Sequence, residues 1–337
     1  MADSKPCRRP ARRRLRSPGP TILTPWSEKG RVVSAIRGVI EQNRELALAQ
    51  IWHASLIIVL PTSATVIAAI QLVTRGVVAW ELALCAAMYF LTMVGTTVGF
   101  HRLLAHRSFV ASRALLGVLA ILGSMAAQGP PVYWASNHRR HHAYSDRAGD
   151  PHSPYRDGDR ELRGIRGFFH AHIGWTFSHA LTNPIVFSRD LLQELLLARI
   201  NRSYYLWVFL GLLIPTVTGW ALTGSWTGGL DGLVWGGGVR LFLTYHFTNC
   251  INSVTHLFGY RRFETHERSR NNPWLALPTL GESWHNNHHA NPGAANFGHA
   301  WWEIDVGWGV VWVFGKLGWA RDIGLTAGCG GNRPWQE

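Results

Sequence analysis

Four cysteines in 337 residues, at positions 7, 85, 250 and 329, form no CxxC pair. Their scarcity and spacing exclude a disulfide framework and a zinc-finger site, and nothing in them demands an oxidising compartment. Acid is also short, with 20 Asp plus Glu against 33 Lys plus Arg and a formal charge of +13. Charged residues make up only 16% of the chain and apolar residues 47%, which excludes a disordered protein. The first long apolar stretch begins near Ile51, too far in for a secretory signal peptide.

What is present is segregated. Lys5, Arg8, Arg9, Arg12, Arg13, Arg14 and Arg16 crowd the first twenty residues against Asp3 alone. This composition predicts a partly disordered basic tail over 1–45, better suited to anionic lipid head groups than to nucleic acid because no aromatic residues are interleaved. A working domain is expected over 46–323 and a second tail over 324–337. Four stretches approach the 20 or so apolar residues that a bilayer crossing needs: Ile51 to Leu72, Val77 to Phe100, Tyr204 to Thr223 and Leu230 to Ile251. The links within each pair are short and nearly free of cations, whereas His101 to Arg202 carries 13 Arg and the segment after Ile251 carries 7 Lys plus Arg. The positive-inside rule then puts both termini and the middle segment in the cytoplasm. Phe109 to Gln128 and Phe168 to Phe187 are expected to lie at the cytoplasmic interface. A crossing at the first of these would separate histidines that must meet.

Seventeen histidines stand out by placement. His101 and His106 occur in HRLLAH, His138, His141 and His142 in HRRHH, His256 in NSVTH, and His285, His288 and His289 in HNNHH. Helical spacing puts i, i+3 and i+4 on one face, so each HxxHH triplet is expected to aim three imidazoles at one point. His101 and His106, five apart, fit a helix end where the backbone turns, or a pair gripping two different ions. His53, His179, His246 and His299 read as ordinary core residues. Eight or nine imidazoles are twice what one four-coordinate ion takes, so two ions are implied, while imidazole alone leaves Zn, Cu, Fe and Ni open. Glu282 with His285 makes a single ExxH spacing. Asp146, Asp150, Asn286 and Asn287 are candidate partners for the outward ring nitrogens.

The order of these boxes, interrupted by two apolar hairpins, resembles the membrane fatty-acid desaturases of the stearoyl-CoA (Δ9) type. The likeness spans roughly Ile51 to Ile323 and includes GDPHSP from Gly149, GFFHAHIGW from Gly167 and RSRNN from Arg268. It implies an all-α membrane protein of four transmembrane helices under a cytoplasmic helical cap. The cap would hold a di-iron centre on His101, His106, His138, His141, His142, His256, His285, His288 and His289, with Asn252 acting through water. The implied reaction uses O2 and two electrons to set a cis double bond, Δ9 by the His that opens the third box, in a saturated acyl chain. Trp134 matches the aromatic at the family's tunnel bend. Two charged positions of animal members read Ser136 and Asn137 here, yet Arg139, Arg140 and Arg156 remain for phosphate, so acyl-CoA is expected ahead of acyl-lipid. Only 48 residues follow His289 and they show no haem motif, so a separate donor is expected, a ferredoxin or a cytochrome b5 with its reductase. Composition favours a bacterial plasma membrane over endoplasmic reticulum. The rivals are a membrane di-iron hydroxylase of fatty acids or sterols, whose sterol members show HxxxH as the first box, and a histidine-rich metal transporter or sensor, which needs ionisable residues along the spans.

Overall fold

The computed structural model describes residues 38–40, 43–178 and 180–326. Most of the expected tail over 1–45, the last eleven residues of the chain and His179 lie outside the described residues. The fold is mostly helical. In chain order the main helices are α1 (Arg44–Arg75), α2 (Ala79–Ala105), α3 (Arg113–Met125), α4 (Pro131–Tyr144) and α5 (164–178). They are followed by α6 (Leu195–Arg202), α7 (Tyr204–Thr223), α8 (226–257), α9 (His285–Ala290) and α10 (Val306–Lys316). Two antiparallel pairs of two-residue strands add little except a tie between Val110–Ala111 and Ala320–Arg321, which fastens the chain beyond α10 to the loop after the first histidine box.

Among the described residues three helices, α1, α2 and α7, are long and apolar enough to cross a membrane. In the most apolar windows of α1 and α7 only 11% and 17% of residues are buried, against 56% in α2. The outer two therefore present Leu, Ile and Val sideways, Val59 and Leu60 among them, a surface that water does not tolerate over such an area and hydrocarbon does. The fourth expected span, Leu230 to Ile251, lies within α8. It is not among the three, because Gly236, Gly237, Gly238, Arg240 and Thr244 dilute its apolar character, and all five are buried.

The two expected interfacial segments are modified. Phe109 to Gln128 yields α3, whose 13 residues reach about 20 Å at 1.5 Å each and fall short of a crossing. Phe168 to Phe187 is broken: α5 ends at Ser178, and a separate turn, Pro184–Phe187, begins at a proline that disfavours helix before it. Packing of α3 on α2 depends on absent side chains. A Cβ on Gly95 would lie 2.1 Å from the Gly123 nitrogen, so the two helices cross with backbones in contact.

Two polar clusters lock the apolar helices. At the α1–α2 turn, Arg75 pairs with Glu81 at 2.7 Å and with Asp231 at 2.9 Å, while Gln71 links Asp231 to Trp235. Deeper, the fully buried Arg240 donates to the carbonyls of Gly236, Met125 and Gly211 at 3.1, 2.6 and 2.5 Å. The Met125 carbonyl belongs to the last turn of α3, where free carbonyls and the negative end of the helix dipole favour a cation. One guanidinium thus ties α3, α7 and α8 together. Replacing it in Arg240→Met leaves the Met125 carbonyl buried without a donor, and thermal unfolding of the detergent-solubilised protein should show a loss of about 2–4 kcal/mol. An unchanged midpoint would contradict this role.

Candidate metal centre

The nine box histidines converge from four helices. The C-terminal part of α2 is π-helical from Gly95 to Ala105, and His106 donates its backbone N–H to the His101 carbonyl five residues earlier at 3.1 Å. In a π-helix residues five apart lie over one another, so HRLLAH places both rings on one side. The alternative in which this pair grips two ions is thereby corrected: both rings join one group.

That group is His101, His106, His138, His142 and His288, whose nitrogens lie within 4.8 Å of one another. The second is His141, His256, His285 and His289, gathered equally closely. Each HxxHH triplet therefore divides between two points instead of sharing one. On a helix of 100° per residue, positions 138 and 142 differ by 40°, while 141 points about 60° to the other side. His288 is likewise turned away from His285 and His289. The inward atoms are Nε2: His101 to His288 at 3.0 Å, His106 to His138 at 2.7 Å, His288 to His142 at 3.0 Å, and His285 to both His256 and His289 at 3.1 Å. Adjacent ligands at a metal–nitrogen bond of about 2.1 Å stand about 3.0 Å apart, so these separations match the edges of coordination polyhedra.

Four of the outward nitrogens face carboxylates. Asp150 binds His141 Nδ1 at 3.0 Å, Asp146 binds His256 Nδ1 at 3.0 Å, and Glu282 contacts His101 Nδ1. Glu267 stands 3.8 Å from His289 Nδ1. A carboxylate at Nδ1 keeps the proton there and leaves the Nε2 lone pair facing inward. Asp146 and Asp150 thus serve as expected. Asn286 and Asn287 do not: Asn286 accepts from the backbone N–H groups of Arg262 and Phe263, and Asn287 bonds Asn271, Glu303 and the Phe297 carbonyl. They brace the loop around α9. Glu282 and Glu267 were not assigned this role from the sequence, although the ExxH spacing marked Glu282.

Burial and the neighbouring imidazoles drive the histidine pKa values down, to about 3 for His141 and well below the ordinary value for His138, His142, His285, His288 and His289. They are neutral at pH 7, the form that binds metal. Burial also pushes Glu282 up to about 8, against the pull of Arg102. The nitrogens His141 Nε2, His285 Nδ1 and His288 Nδ1 are buried without a hydrogen-bond partner. Nine imidazoles in sets of five and four, with ring nitrogens converging, fit two transition-metal ions and are a poor fit to a packed core.

The remaining expected residues fall nearby. Trp134 stacks on His138 at 5.2 Å, and together with Thr248 and Asn252 this pair lines both of two adjoining cavities. Asn252 donates to Asn249 at 3.2 Å, one helical turn before His256. None of the residues lining either cavity is Lys or Arg. Arg139 is spent elsewhere: its guanidinium meets the carbonyls of Ala105, Leu104 and Phe187 and both oxygens of Asp190. Arg140 is buried against Gly149, Ala180 and Thr182. Arg156 stays partly exposed, 3.5 Å from Glu161. Of the histidines read as core, His53 bonds the Ala127 carbonyl, and His246 bonds His172. His299 packs edge-on against Phe263, with its Nε2 unpartnered. His152, from the GDPHSP run, stacks on His141 at 4.3 Å and lines the first cavity.

A family model described as fatty acid desaturase matches residues 39–315. The chain belongs to that family, and it is a membrane oxidoreductase. It is 44% identical over 278 residues to a hex-5-enoyl-acyl-carrier protein acetylenase of Moorena producens, covering 82% of this chain and 87% of that one. It is 36% identical over 243 residues to an sn-1 stearoyl-lipid 9-desaturase of Anabaena variabilis, covering 71% and 82%. Over 240 residues it is 35% identical to Delta-9 acyl-lipid desaturase 1 of Arabidopsis thaliana, covering 71% and 74%.

Removing the carboxylate from the first group tests this arrangement. Glu282→Gln should weaken metal retention about 10- to 100-fold, read as metal content after dialysis against graded chelator. Retention equal to the unmodified protein would show that Glu282 does not orient His101.

Proposed function

We propose that this protein is an O2-dependent fatty acyl desaturase with two iron ions, one in each histidine group. The single observation that carries the reading is the division of nine inward-facing imidazoles into sets of five and four beside a cavity walled by Trp134. His101, His106, His138, His142 and His288 would hold one ion. His141, His256, His285 and His289 would hold the other, with Asn252 reached through water. When bound, iron and O2 supply the oxidant that an unactivated methylene pair requires and that no side chain provides. The chain's own part is positional. The two cavities meet at Trp134 and His138, so an acyl chain threaded through both would turn beside the first group, and the turn selects which carbons lie nearest. Product with a cis bond at Δ9 is the expected outcome.

The cavity lining supports an acyl-lipid ahead of the acyl-CoA expected from sequence, because no cation lines it and Arg139 has no free N–H for a phosphate. The lipid desaturases of Anabaena and Arabidopsis agree with that choice. A second reading, removal of hydrogen from an existing double bond to give a triple bond, is favoured by the 44% identity to the acetylenase. For topology, α8 would form the fourth span, with both termini and the histidine groups on the cytoplasmic side of a bacterial plasma membrane. Electrons would come from a separate ferredoxin or cytochrome b5 system.

Fatty-acid methyl esters from cells expressing the chain should contain a new monounsaturated acid, located by mass spectrometry at carbon 9 and absent with His141→Ala. An alkyne would support the second reading. A hydroxy acid, or an unchanged profile with a donor supplied, would overturn both.

A further inference from the structure

Desaturation as proposed above takes two electrons from outside the chain, and the inference that follows rests on that reading. An open cleft on the outer side of the first histidine group reaches His106 at its floor. Val186 and Phe187 form its apolar wall, and Arg107, Arg189 and Asp190 its rim. The neighbouring Ile185 is 65% exposed and Val186 54%. Asp190 is bound by Arg139 and also by Arg107, at 2.5 Å, so the cleft lining as a whole, Arg139 included, carries three cations against one anion. Arg107 follows His106 directly and has φ of 52°, a conformation that non-glycine residues adopt at a cost. This turn leaves its side chain 64% exposed at the cleft. At the floor, His106 Nε2 is 2.7 Å from His138 Nε2, and its ring packs edge-on against His142 at 4.5 Å and His288 at 4.6 Å.

An apolar patch flanked by the exposed Arg107 and Arg189 and of net positive charge, with a ring of the metal group beside it, has the anatomy of a small transient interface in which charge steers encounter and the apolar surface excludes water. A lipid head group would be served by the arginines alone and has no use for a floor that ends on His106. We infer that this cleft is the docking site for an acidic one-electron carrier protein, of the iron–sulfur or haem class, and that electrons enter through His106. Each docking event oxidises one reduced carrier by one electron. Two such electrons, two protons from solvent and the two hydrogens taken from the acyl chain together reduce one O2 to two waters.

The test uses the full chain in nanodiscs with oxidised plant-type ferredoxin and the soluble domain of cytochrome b5 as separate probes. Arg189→Glu should raise the dissociation constant of the preferred carrier about tenfold at low salt and flatten its salt dependence, with metal content unchanged. Arg107→Gln should act in the same direction, and Arg261→Glu on the 261–270 loop, which does not line the cleft, should have little effect. An unchanged constant in Arg189→Glu, an equal loss in Arg261→Glu, or no binding of either carrier by the unmodified chain would overturn the assignment. So would a loss confined to binding of anionic vesicles, which would make the rim a lipid contact. Retained carrier affinity in a variant of a chain that desaturates in cells would remove the cleft alone, whereas absence of any unsaturated product would remove the reading beneath it.

Discussion

Nine imidazoles gathered in two groups, eight of them nitrogen to nitrogen at 2.7–3.1 Å, constrain everything around them. Lone pairs aimed at one another in a water-poor interior repel, and each imidazole gives up its hydration on burial. An apolar core gains nothing from that arrangement. A bound cation at the centre of each group reverses the sign of the interaction, and the carboxylates of Asp146, Asp150 and Glu282 behind the rings oppose their rotation. Against the effect of burial, the neighbouring His256 and the Arg268 N–H lower the pKa of Asp146, which also brings negative charge to the second group.

The apolar helices serve this geometry. The π-helical end of α2 converts a spacing of five into a shared face, and it is held at its start by the backbone contact of Gly95 with Gly123. Arg240 fixes the far end of α3 against α7 and α8, and α8 carries His256 at its last turn. Arg102, buried next to His101, reaches Asp305 at 2.8 Å and lies over the Phe297 ring at 4.1 Å, which anchors the start of α10 to the first box. The apolar helices and the histidine groups are thus joined through a few buried charged side chains, Arg240 on three carbonyls and Arg102 on Asp305 and the Phe297 ring.

Much of the site was legible in the sequence. All nine expected histidines meet in the two groups, because short-range helical spacing and the order of boxes along the chain carry that information. Three of the expected spans coincide with helices able to cross a membrane, since long apolar runs report their own environment. What escaped depends on three-dimensional competition. Nothing in HRLLAH distinguishes a π-helix from a turning helix end, and the division of each HxxHH triplet needs the axis of the partner helix. Arg139 and Arg140 read as phosphate ligands because sequence does not reveal that Asp190 and a set of carbonyls already occupy them. Glu267, eighteen residues before His285, gives no local sign of its place beside His289.

The most direct test of the central claim is the metal itself. Purified protein reconstituted with ferrous iron under anaerobic conditions should hold two irons per chain, and X-ray absorption should show a first coordination sphere of nitrogen. Removing a ring from the group of four, as in His289→Ala, should halve the stoichiometry and leave the nitrogen sphere of the remaining ion intact. One ion per chain in the unmodified protein, or a sulfur-containing sphere, would contradict the account.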